Sequence, residues 1–225
     1  MAIIKKHILG TLQGSLTNVV FRVRNGKLVA YTRPSKQKIS KSKAAVNTRN
    51  KFALTVALAK TINADDILSK VWNHSKVKAT NGYQKIIKYN SAFTESHSLT
   101  DKNVITPEGI IINNVEVSYS DNLIELIINC NKLKKELLKA TKLFSLVYLW
   151  NQEDSNKILK SKSGFSLKLY KFNLLEIDSR SSLNFMIDIS LQNKPHYDNG
   201  IIFIAMVGEK NDKFFWSSTF SNKFL

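Results

Sequence analysis

Cysteine is nearly absent from this chain: Cys130 is the one thiol among 225 residues. A single cysteine excludes an internal disulfide and any structural zinc site built on several thiolates. Its setting, "LIELIINC", points to a small buried apolar role instead of a nucleophile. Long apolar runs are missing too. Nothing approaches the run of about 18 that a bilayer-spanning helix needs, so no membrane span is expected. "MAIIKKHILGTLQGSL" carries Lys5 and Lys6, but glycine and polar residues break up the stretch after them, so no signal-peptide pattern is expected. The expected location is the cytoplasm, or a particle assembled there. Glycine is scarce at eight residues, and none builds a phosphate-cradling loop or a G-x-S-x-G elbow; H-E-x-x-H is absent as well. His7, His74, His97 and His196 are far apart and lack metal-ligand spacing. Glu125, Asp178 and Asp188 fall in or beside strand-like runs, where the solvent face of a sheet accounts for them without a general acid and base pair. No cofactor, no metal and no enzymatic activity are expected.

Acidic residues are missing from one region in particular. Residues 1–64 hold thirteen Lys or Arg and no Asp or Glu, the first acid being Asp65. The other 161 residues hold 21 basic and 17 acidic side chains, so most of the net charge of +17 lies in the N-terminal quarter. Such a segment attracts polyanions, and the attraction weakens steeply with salt. Nucleic acid, an acidic protein and an anionic membrane surface are its candidate partners. A lysine-rich surface kept for solubility is the plain alternative. The 43% apolar share is that of a globular protein with a real core.

The residues that are present sort into three regions: a basic hairpin and extended arm over 1–42, a helical region over 43–100, and a β-rich region over 101–225. "NVVFRVRNGKLVAYTR" reads as two strands around Asn25-Gly26, the strongest two-residue hairpin signal. Phe21, Val23, Leu28 and Ala30 then alternate with Arg22, Arg24, Val29 and Tyr31, which makes one face more basic. Arg33-Pro34 forces an extended exit, and "PSKQKISKSK" is too polar to pack. The spacing then predicts a helix over 43–62 with Ala45, Arg49, Phe52, Val56 and Ala59 on one stripe and Leu54, Leu58 and Ile62 beside it. A second helix is expected around "ILSKVW", capped by Asn63, and a third over 81–93. In the third, Tyr83, Tyr89 and Phe93 stand among Lys85 and Lys88, an arrangement that more often serves a core than base stacking. After residue 100, seven runs rich in Ile, Val, Phe and Tyr predict an antiparallel β-sandwich of immunoglobulin-like type. "NKLKKELLKA" interrupts them as a short helix or crossover. The fold class expected is therefore α+β.

Several motifs recur in a known order: Gly10-x-x-x-Gly14, Val19-Val20, Arg33-Pro34, Arg49-x-Lys51-Phe52, and at the C-terminal end Ser218-Thr219-Phe220. The chain in this respect resembles a large family of proteins from Bacteroidota and their mobile elements. Members often carry a glutamine one turn before the helix arginine, where this chain has Ala45, and many are less basic. The resemblance implies an immunoglobulin-type C-terminal half and no established activity.

Two functions are consistent with these features. In the first, the chain is a non-enzymatic structural or assembly protein of a larger particle, phage-like by analogy. Its arm docks on neighbouring protein subunits through Val19, Val20 and Phe21. In the second, it binds RNA or DNA, on the ribosome or in packaging. Arg22, Arg24, Lys27 and Arg33 then meet phosphates, Lys36, Lys38, Lys41 and Lys43 follow the backbone, and Arg49 reaches out from its helix. The first reading is favoured by a small margin.

Overall fold

The computed structural model describes residues 2–4, 14–16, 18–24, 26–33, 39–113, 115–151, 164–174, 177, 181–192, 197–210 and 213–225. Among them the chain is α+β, with three α-helices and antiparallel sheets, and it divides into two compact units, Met1–Ser42 and Lys43–Leu225.

In the first unit, β1 (Ala2–Ile4), β2 (Gly14–Leu16), β3 (Val19–Arg24) and β4 (Lys27–Thr32) form one antiparallel sheet in the order β1-β4-β3-β2. The β3–β4 hairpin pairs Arg24 with Lys27, and Gly26 takes φ +73°, a left-handed value that glycine adopts without a Cβ penalty. β2 continues the meander, while β1 returns to the free edge of β4 and sets Ile3 opposite Val29. The result is a Greek-key order. The sequence predicts only a hairpin and arm here; "AII" and "GSL" are too short to announce themselves as strands, yet they pair both sides of the hairpin. Pro34 to Lys38, the middle of the expected arm, lie outside the described residues.

The second unit starts with α1 (Lys43–Asn63), α2 (Asp66–His74) and α3 (Gly82–Asn90). Eight strands come after them: β5 (Val115–Ser120), β6 (Leu123–Asn129), β7 (Lys142–Trp150), β8 (Phe165–Asn173), β9 (Ser182–Asp188), β10 (Asn199–Lys210), β11 (Lys213–Trp216) and β12 (Phe220–Lys223). β5-β6-β9 make a three-stranded sheet, and β11-β10-β7-β8, with β12 also on β10, make a five-stranded one.

The five-stranded sheet is buried on both faces. Phe144, Leu146 and Tyr148 of β7, with Ile201, Phe203 and Ala205 of β10, enter one core with Leu54, Leu58, Ile62, Trp72 and Ile86 of the helices. The alternate residues Leu143, Val147 and Leu149, with Ile202, Ile204 and Met206, enter a second core with Ile124, Leu126, Ile128 and Ile187 of the three-stranded sheet. Side chains alternate along a strand, so two strands feed both cores. The helices are thus a layer of one compact unit, although the change of composition near residue 100 suggests a boundary there.

Local details depart from expectation in instructive ways. Phe52, placed on the core stripe of α1, is 59% exposed. The Leu54-Leu58-Ile62 ladder faces the sheet instead, and Phe52 lies about 160° around the helix from Leu54. Asp65, not Asn63, caps α2: its Oδ1 accepts from the backbone N–H of Ile67 at 2.9 Å and of Leu68 at 3.1 Å. Asn63 is absorbed into the last turn of α1. Asn81 caps α3 by accepting from Gln84 N–H. "NKLKKELLKA" becomes two single 3-10 turns, Cys130–Lys132 and Leu137–Lys139, tied down by buried Cys130, Leu133 and Leu137. "KFFWSSTF" splits into β11 and the start of β12.

Candidate interaction surface

The register of the N-terminal sheet decides which side chains act together. Phe21 pairs with Ala30 and Val23 with Leu28; on the other face Val20 pairs with Tyr31, Arg22 with Val29 and Arg24 with Lys27. Arg22 and Lys27 are exposed. The Arg22 Cζ stands 5.0 Å from the centre of the Tyr31 ring, a cation–π contact on the same face of the sheet. Arg33 follows the end of β4, its backbone N–H donating to Asn18 O at 2.6 Å. Lys41 is exposed in the same unit, but Lys43 is the first residue of α1 and Arg49 is half-buried on it, so both belong to the second unit. Lys36 and Lys38 lie outside the described residues. Of the three residues assigned to assembly contacts, Val19 and Phe21 share a face, whereas Val20 stands on the basic one.

The second unit holds several concave sites, one of about 760 Å³ beside Lys135, Lys139 and Leu174. A cavity of about 740 Å³ opens beside Lys51, Glu95, Asp101, Lys102, Trp150 and Lys223. Its rim loop is built by two buried asparagines. Asn90 Oδ1 accepts from Val104 N–H at 2.8 Å, and Asn103 Nδ2 donates to Asn90 O, Asn90 Oδ1 and Thr94 Oγ1. Lysines and carboxylates both line this cavity, so no single ligand charge is favoured. A smaller cavity of about 440 Å³ lies between His74, Tyr89 and Trp216. Tyr83 and Tyr89 pack against the helix-side core, and the Tyr89 ring sits 5.9 Å from Trp72 and 5.7 Å from Phe93, which commits these rings to packing.

The serine and threonine motif near the C-terminus is a staple. Thr219 Oγ1 accepts from the backbone N–H of Ile105 at 2.9 Å and of Thr106 at 3.0 Å. Ser218 Oγ accepts from Gly109 N–H, and Ser217 Oγ from Met206 N–H. The hydroxyls of Thr219 and Ser218 thereby bind the segment leaving the helices to the end of the sheet, and that of Ser217 ties the same end to β10. Gly109 is required there, since a Cβ would come within 2.5 Å of Trp216 O.

Titratable chemistry is sparse. Among the described residues no three His, Cys, Asp or Glu gather as a metal site. Burial pushes the Tyr148 phenol well above its ordinary value, against a weaker opposing pull from the Leu99 backbone. The Asp188 carboxyl is held below its usual range first by the Ser190 backbone N–H, which donates at 2.8 Å, and least by the charge of Lys168. Glu125 and Asp188 stand on the outer face of the three-stranded sheet; Asp178 lies outside the described residues. Among the described residues, no helix is long and apolar enough to cross a membrane.

The chain matches no protein-family model, no curated protein and no solved structure.

Proposed function

We propose that the chain is a non-enzymatic assembly subunit whose basic N-terminal sheet docks on a neighbouring protein subunit of a larger particle. One observation carries this reading: the first 42 residues of the acid-free segment are a compact unit with a Greek-key sheet of its own, not a tail. A tail suffices to gather phosphates; a sheet with exposed Arg22 and Lys27 on one face and Val19, Phe21 and Val23 on the other presents a shaped surface.

The body is read as an immunoglobulin-like sandwich. Named A to G in chain order, β5, β6 and β9 take the places of A, B and E, and β7, β10 and β11 those of C, F and G, with β8 as an added strand beside C. Kinship with the Bacteroidota family belongs to the same proposal and rests on the order of the motifs. A body that displays its loops and edges while its N-terminal unit engages a neighbour suits a phage-like or other cytoplasmically assembled particle.

Binding of RNA or DNA is the second reading, favoured by the stacking of Arg22 on Tyr31 within a basic face. Purification of the untagged protein from its native cell, with and without nuclease and at low and high salt, separates the two. A particle that survives both treatments is the expected result. Nucleic acid that leaves with nuclease or salt overturns the assembly reading. Glutamine at Arg22, Arg24, Lys36 and Lys38 would then abolish the binding.

A further inference from the structure

The second unit carries a face whose charge is opposite to that of the chain as a whole. The strands β5, β6 and β9 turn Val117, Ile124, Leu126, Phe185 and Ile187 inward to the second core. Their register places Glu116 opposite Ile127, Ser118 opposite Glu125, and Glu125 opposite Met186 on the outer side, with Leu123 opposite Asp188 at the end. No lysine or arginine occupies an outward position on these three strands. Met186 is 72% exposed and Leu123 42%, so apolar surface stands open between the carboxylates. Asp121, in the two-residue turn between β5 and β6, adds one more acid at the tip.

The N-terminal sheet is its complement in charge and in kind. It offers cations without a single acid, beside the half-buried apolar Val20 and Tyr31. The two central strands of the N-terminal sheet have six residues and are flanked by two of three, while β5, β6 and β9 have six or seven, so each face measures at most about 20 by 15 Å.

We infer that the partner engaged by the N-terminal sheet is a second copy of this chain, whose outer face on β5, β6 and β9 receives it. This rests on the assembly reading and names its partner. The contact joins two different surfaces, so it is heterologous: a joined pair keeps one free sheet and one free acidic face, and copies add head to tail into a ring or an open row. A planar footprint of about 300 Å² is well under the roughly 800 Å² per partner of a stable complex. A single contact is therefore weak, concentration-dependent and sensitive to salt, since screening shortens from about 10 Å at 0.1 M to about 3 Å at 1 M.

Sedimentation velocity of the full chain over a concentration series, at low and at high salt, tests this together with two charge-reversed variants. One carries Arg22→Glu and Lys27→Glu, the other Glu116→Lys and Glu125→Lys; all four side chains lie on strand surfaces outside both cores. The wild type should show mass rising with concentration at low salt and falling back to monomer at high salt. Each variant alone should associate about tenfold or more weakly. An equimolar mixture of the two should recover association, because the native acidic face of the first meets the native basic sheet of the second. A wild type that stays monomeric at low salt, or a mixture no stickier than its parts, overturns the inference. A monomer in this assay that still purifies from the cell within a nuclease-resistant particle leaves the assembly reading intact with another partner. Loss of that particle removes the broader reading.

Discussion

Tyr148 shows what a single side chain contributes to a core without serving a site. It is fully buried in β7, its ring stacked 4.7 Å from that of Trp150, and its hydroxyl makes no well-formed hydrogen bond among the described residues, the Leu99 backbone giving only a weak contact. Burial disfavours the phenolate, so the folded state holds the proton above the ordinary value of 10.0 while an unfolded chain releases it there. The contribution to stability is thus complete below that pH and is lost as pH rises beyond it. Tyr148→Phe should leave stability at neutral pH unchanged or raise it by about 1 kcal/mol, since it deletes a desolvated hydroxyl. It should also flatten the alkaline fall in stability relative to wild type. Urea melts of both proteins between pH 8 and about 11 read out both effects; a variant weaker at neutral pH with an unchanged alkaline slope would contradict the account.

Between elements, the hydroxyl staple matters more than any cap. Thr219 satisfies two backbone donors of the segment that leaves the helix layer, and nothing in the apolar pattern of either partner announces that link. Thr219→Val keeps the shape and strands both N–H groups, so a loss of about 1–3 kcal/mol is expected in denaturant melts, with Thr219→Ser restoring most of it. Elements read well from the sequence where periodicity or a local signal is decisive: the hairpin at Asn25-Gly26, the three helices and the strands of the β-rich region. They read poorly where tertiary packing chooses. Helix α1 is apolar on several sides, and only the sheet beneath it selects Leu58 over Phe52. The continuous apolar runs "LFSLVYLW" and "GIIFIAMVG" are a sign of two-sided burial, in contrast to the alternation of "LIELIIN". That contrast locates the third layer and places the helices on the sheet. The basic residues of the candidate surface are legible as a charge bias, but their division between two units is not, because three-residue strands such as "AII" carry no signal of their own.

At the scale of the molecule the first unit is the part whose charge is wholly unopposed, although the acid-free stretch runs on into α1. Residues 1–42 hold nine basic side chains and no acid, whereas 43–225 hold 25 basic and 17 acidic ones. Both hydrophobic cores lie wholly within the second unit. A chain beginning at Lys43 should therefore keep a single cooperative unfolding transition at nearly the midpoint of the full protein, because neither core loses a residue. It should also elute from a cation exchanger at lower salt, having shed the part richest in unopposed charge. The more telling property is in mixtures. Such a chain retains the acidic outer face of β5, β6 and β9 but has no basic sheet to pass on, so it can end a head-to-tail row and never extend one. Added in excess to the full-length protein at low salt, it should lower the mean mass of the assembly in light scattering, and a version carrying Glu116→Lys and Glu125→Lys should not. Equal effects of the two truncated chains would mean that the acidic face is a bystander and that growth is limited by some other surface.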